Sequence, residues 1–158
     1  EIERGDWSSD VCSSDLTFTD FIAHKDLGQK TMLFLIDGLY GSENVNGAPS
    51  GKWKMPPFNN NWPCSLFASQ DPVAIDAVGI DFLSSEFPRM ADVDYCDMYL
   101  VEAAMADLPL SNTFYDPERD GTGVKSLGVL EHWNNPIEKK YSRNQGKDIG
   151  IELIYLHK

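Results

Sequence analysis

The chain has 158 residues, 42% hydrophobic and 24% charged, with a formal net charge of −12. That size and balance suit one globular domain able to bury a core. The acidity argues against nucleic acid and anionic membrane surfaces as partners, and no apolar run approaches the ~18 residues of a membrane span.

The first sixteen residues are set apart. Asp6 to Leu16 reads DWSSDVCSSDL, which looks like a common sequencing adapter translated in frame. It is rich in Ser and Asp, has no period and offers little to pack. We therefore expect residues 1–16 to be a non-native, disordered artefact, and read residues 17–158 as one α/β domain, the C-terminal part of a longer protein. The artefact carries five acids and one base, so the net charge of the remainder is −8. Two cysteines then remain, Cys64 and Cys96, without a CxxC. This excludes an iron–sulfur cluster or zinc site made from this chain alone.

In chain order, Phe18, Phe21 and Ile22 lie at helical spacing, and Gly28 ends that short helix. Thr31–Ile36 is an unbroken apolar run, the pattern of a strand buried on both faces in a parallel sheet. Asp37-Gly38 signals a turn after it. Residues 39–63 form a long loop rich in Gly, Pro and Asn that also holds Tyr40, Trp53, Phe58 and Trp62. Such a loop is expected to be ordered, packed by its own side chains. Cys64–Ala68 is the next strand. Asp71 then caps a helix with Pro72 at its first position, where the missing N–H costs nothing. Val73, Ala77, Ile80 and Leu83 keep helical spacing, and Pro88 stops the helix. Asp92 or Asp94 caps a second helix over 95–108, with Met98, Val101, Met105 and Leu108 as its core stripe. Val124–Leu130 reads as a short strand, and Gly150–Leu156 as the strand that closes the domain. The expected architecture is a mainly parallel, incomplete sheet with flanking helices.

IDGLYGSENVNGAPSG followed by LFASQDPVAIDAVG resembles the domain-of-unknown-function 362 family, through Asp37, Gly38, Glu43, Gly47, Pro49, Asp71, Pro72 and Asp76. The likeness covers about Thr31–Leu83. The tail, from FYDPERDGTG to GIELIYL, is similar to an exported bacterial branch of that family, which suggests an exported or periplasmic protein. The resemblance implies an α/β fold and no particular reaction. The loop here, ENVNGAP, is longer than the family's, and the ferredoxin-like cysteines of some members are lacking.

Several residues carry candidate chemistry. Asp37 and Asp71 sit at strand ends, where open α/β sheets bind ligands. If the strands are neighbours, Asp37, Glu43 and Asp71, with Asp76, converge on a divalent cation or supply a general acid or base, Asp37 and Glu43 being the catalytic candidates. Gly47 to Gly51, including Ser50, offers a backbone cradle for phosphate, or a plain turn. Asp116 and Asp120 in DPERDG begin like a calcium loop, but position 12 is Leu127, so an EF-hand fails; a different calcium turn using Asp116, Asp120 and a carbonyl is the alternative to a plain type I turn built on Asp-Pro. His132-Trp133, with Trp53, suggests a sugar platform. Two functions follow: a domain with a carboxylate-lined small-molecule or divalent-metal site, or an exported non-catalytic module binding glycan or cell surface.

Overall fold

In a computed structural model, the structure describes residues 13–42, 48–49, 51–88, 97–141, 145–146 and 150–156. Helix α1 spans Ser13–Ala23, followed by a single 3-10 turn at Gly28–Lys30. Strands β1 (Phe34–Gly38) and β2 (Ser65–Ser69) come next, then helix α2 (Pro72–Glu86) and helix α3 (Met98–Ala104). Two short strands, β3 (Val129–Leu130) and β4 (Gln145–Gly146), complete the order. The class is mixed α/β.

The sheet is not mainly parallel. β1 pairs with β2 antiparallel, Phe34 opposite Ser69 and Gly38 opposite Ser65, and β3 with β4 is antiparallel too. A parallel pair needs a crossover, usually helical. The described parts of residues 39–64 contain no helix and bring the chain straight back beside β1. An unbroken apolar run reports two apolar faces, not strand direction. Here one face of the sheet packs on α2, while Leu35 and Leu66 on the other are 56% and 69% exposed.

α1 starts at Ser13, so helix runs back over 13–16, into the stretch expected to lack structure; residues 1–12 lie outside the described residues. α2 follows its sequence signals. Asp71 Oδ1 accepts the N–H groups of Val73 and Ala74, both at 2.9 Å, Pro72 is the first helical residue, and the helix ends at Glu86 before Pro88. α2 is the hub of the fold. On one side Val73 and Ala77 join Leu100, Ala103, Ala104 and Leu130. On the other, Val78 and Phe82 join Trp53, Met55 and Phe58 of the long loop. Gly79 lets α2 approach β1, because a Cβ there would lie 3.2 Å from Ile36 Cδ1.

The expected core stripe of α3 is out of phase. Leu100, Ala103 and Ala104 are buried, while Leu108 is 74% exposed. The helix stops at Ala104, so its period never reaches Leu108, and small alanines let α3 sit close to α2. Asp92 and Asp94 lie outside the described residues; Asp97 occupies the cap position. The long loop is ordered where it is described. Glu86, near the end of α2, accepts the N–H groups of Lys54 and Met55, Trp53 bridges Asn61, and Trp53 packs edge-on to Phe58 and Phe87. Residues 150–156 carry no regular secondary structure and join no ladder, so the expected closing strand is not found among the described residues.

Candidate functional site

The acidic residues expected to converge do not. Antiparallel pairing sets Asp37 opposite Leu66 at one end of the two-stranded sheet, whereas Asp71 follows Ser69 at the other end. Asp37 Oδ1 accepts the Leu39 N–H at 2.9 Å, which makes it the cap of its own turn. Asp71 is fully committed: Oδ1 caps α2, and Oδ2 accepts the Val129 N–H at 2.9 Å. Asp76 accepts a hydrogen bond from the Tyr99 hydroxyl at 3.2 Å, and its burial raises the carboxyl pKa. Glu43, Gly47 and Ser50 lie outside the described residues. Among the described residues, no three His, Cys, Asp or Glu side chains group as a metal ion would require.

Asp116 and Asp120 organise a turn. Asp116 accepts the N–H groups of Asp120 and Gly121, and Asp120 accepts that of Thr122. Their carboxylates close local rings instead of facing a common centre. The Thr122 N–H, and next its hydroxyl, hold the Asp120 carboxyl below its ordinary range.

The aromatic platform also resolves into core. Trp53 is 5% exposed. Trp133 is half-buried, with its ring 4.8 Å from Phe82 in an edge-to-face contact and with Lys139 Nζ over its face. Trp62 stands apart, against Tyr40. The three indoles share no exposed face.

His132 has partners that sequence spacing did not suggest. Its Nδ1 lies 2.7 Å from Asp81 Oδ1 and its Nε2 lies 3.2 Å from Asp97 Oδ2. Asp81 Oδ2 also accepts the Trp133 N–H. The imidazole thus ties α2 to the start of α3 and to the chain after β3. Hydrogen bonding to Asp81, then to Asp97, pushes its pKa up to about 9, and the bond from His132 holds the Asp97 carboxyl below its ordinary range. A raised folded-state pKa means stability that is fully present below the unfolded value of about 6.5 and lost as pH rises through about 9. The ring is 40% exposed, so solvent screening limits the effect to about 1–2 kcal/mol. We expect His132→Gln to lower the urea-unfolding free energy by that amount at pH 6, and the difference from the parent to close by pH 10. A gap independent of pH would show that the ring acts by packing alone.

Among the described residues, a ligand-sized concavity of about 890 Å³ lies beside α2, and a smaller one of about 550 Å³ lies between Ala23, Lys25 and Glu118. The floor of the larger is Ala74, Ile75, Val78 and Phe82; one wall is β2 and the other is residues 151–156. Sequence reasoning missed it because it arises from two segments that lie some eighty residues apart. In comparisons with family models, with curated proteins and with solved structures, nothing matches this chain.

Proposed function

We propose that this chain is a ligand-binding module of α/β type, of the domain-of-unknown-function 362 kind its motifs resemble, that takes an apolar ligand in the groove beside α2. The observation that carries the reading is the groove itself. Its volume falls in the range of ligand sites, about 300–1,000 Å³, and most residues along it are apolar in type, while slightly more of its exposed lining is polar than apolar, Ser65, Ser69 and Asn61 being among the polar residues. The motif residues support the same view from the other side. Asp37, Asp71 and Asp76 are each engaged in capping or in a hydrogen bond between helices, so they build the fold and leave the groove to bind. This keeps the small-molecule part of the sequence expectation and moves it away from the carboxylates.

Nile red, a neutral apolar dye, tests the reading. It should bind with enhanced fluorescence. Ala74→Phe, which fills the groove floor, should weaken it at least tenfold with the helical circular dichroism unchanged. Leu66→Asp, on an exposed groove position, should weaken it too without touching the core. Dye binding indifferent to both substitutions would sink the proposal.

A further inference from the structure

The groove has the shape of a vacant lane in a sheet. Its two walls lie over the same helix. Phe67 of β2 packs on Phe82 of α2 with ring centroids 5.4 Å apart, and Ile151 and Leu153 pack against the cluster around that ring. Burial alternates along both walls, of which β2 alone is a strand. Phe67, Ile151 and Leu153 turn inward, while Leu66 and Ile154 turn outward and are 69% and 68% exposed. Yet among the described residues no ladder or bridge joins the walls.

The edge of β2 that faces the lane is equipped for pairing. The ladder ends at Gly38 opposite Ser65, and the Ser65 carbonyl oxygen lies 3.1 Å from where a Cβ on Gly38 would stand, so it faces β1 and Gly38 and Ser65 are a hydrogen-bonded pair. Pairs alternate in an antiparallel ladder. Ser65, Phe67 and Ser69 therefore pair with β1, and Leu66 and Ala68 turn their N–H and C=O groups away from β1, toward the lane, as an open edge. Size agrees. Strands sit about 4.8 Å apart, layers about 10 Å apart, and a six-residue strand runs about 20 Å, so one strand takes up about 950 Å³. The lane measures about 890 Å³.

We infer that the occupant of this groove is an extended polypeptide strand supplied in trans, which pairs with the open edge of β2 and completes a sheet over α2. This rests on the groove reading above and names its ligand class. The lane also states the chemistry of that strand. The inward side chains would meet Ala74, Ile75 and Val78, and the outward ones would lie between Leu66 and Ile154, so apolar residues are required on both faces. Glu152 is the one charged residue among the lining, and the chain carries a net charge of −12. The partner strand is therefore uncharged in its centre and neutral or basic at its ends. Recognition would come from main-chain hydrogen bonds, with side-chain fit as the selector.

The probe is a labelled nine-residue peptide with a valine and isoleucine centre and lysine ends, compared with a twin N-methylated at alternate residues. The twin keeps the apolar surface and loses the donors that pairing needs. We expect the unmodified peptide to bind the whole chain at least tenfold more tightly than the twin, to compete with Nile red, and to slow exchange of the Leu66 and Ala68 amides at least tenfold. Equal binding by the twin, no binding of either peptide, or unchanged exchange at those amides overturns the strand inference; the groove reading stands in each case if Ala74→Phe still expels the dye. If Ala74→Phe leaves dye binding intact, the groove reading itself has failed. A peptide-free chain that is already dimeric, with those amides protected, would show that a second copy fills the lane and would also overturn supply by a partner of this chemistry.

Discussion

Replacing Glu102 with alanine is expected to cost about 4 kcal/mol, a quarter or more of the stability of an ordinary domain. Glu102 is wholly buried on α3. Its Oε1 accepts the Ser111 N–H at 2.9 Å, and its Oε2 accepts the hydroxyls of Ser111 and Tyr115, both at 2.7 Å. Removing the carboxylate leaves a part-buried main-chain donor and a buried phenol without it as partner, each costing about 1–3 kcal/mol, and opens a cavity besides. Ser111 Oγ has Thr113 as an alternative partner at 2.8 Å and loses less. Tyr115 is 2% exposed, and burial first, then its bond to Glu102, pushes its pKa up to about 12. Tyr115→Phe, which removes one donor and keeps the ring, should cost only about 1–2 kcal/mol. Because the two residues share a bond, the double variant Glu102→Ala with Tyr115→Phe should be less damaging than the two losses added together. Urea unfolding of the four proteins checks this. Additive losses would show that the Glu102–Tyr115 bond contributes nothing of its own.

Glu102 also shows where sequence reading reaches its limit. YLVEAAMA is apolar apart from that one residue, a signal of a buried acid with partners elsewhere. Those partners, Ser111 and Tyr115, lie past the helix end, in a turn-rich stretch with no period to place them. Local signals carried well. The Asp71-Pro72 start of α2, its stop before Pro88 and the packed aromatic loop were all legible, because each depends on neighbours within a few residues. Long-range relations did not carry. Strand direction, the partners of His132 and the lane beside β2 depend on how segments thirty to ninety residues apart are set against one another. The unbroken run at Thr31–Ile36 illustrates the ambiguity. It overlaps the strand found, Phe34–Gly38, which starts three residues later and takes in the Asp37-Gly38 pair read as a turn, and it led to a parallel sheet only because a covering layer on both faces was assumed. The exposed Leu35 and Leu66 make that assumption visible. For the site, the residue types that stand out in sequence (Asp37, Asp71, Trp53) proved to be caps and core. The groove is built instead from residues such as Ala74, Val78 and Leu153 that no motif marks.

The Asp71 clamp gives the second large effect. One carboxylate holds the first turn of α2 through Val73 and Ala74 and holds β3 through Val129. Gly128, buried just before β3, leaves room for it, since a Cβ there would lie 2.2 Å from Asp71 Oδ1 and 2.7 Å from Val73 Cβ. Asp71→Ala removes a helix cap, about 0.5–2 kcal/mol, and orphans a buried N–H, about 1–3 kcal/mol; a total loss of about 2–4 kcal/mol is expected. Asp71→Asn keeps one oxygen for the cap but turns an amide toward the Val129 N–H, so about half of that loss should remain. Gly128→Ala should cost about as much as Asp71→Ala, because the clamp must be displaced to admit the methyl group. The two alanine substitutions should not add, since once the carboxylate is gone the methyl meets only Val73. The combined variant is therefore expected to fall short of the summed losses by about 1 kcal/mol or more. Thermal unfolding with Mg²⁺ or Ca²⁺ separates this structural role from the metal-binding one that the sequence suggested. A clamp predicts the same shift between parent and Asp71→Asn with or without the ion. Stabilisation of the parent alone by millimolar cation would instead return Asp71 to a binding site.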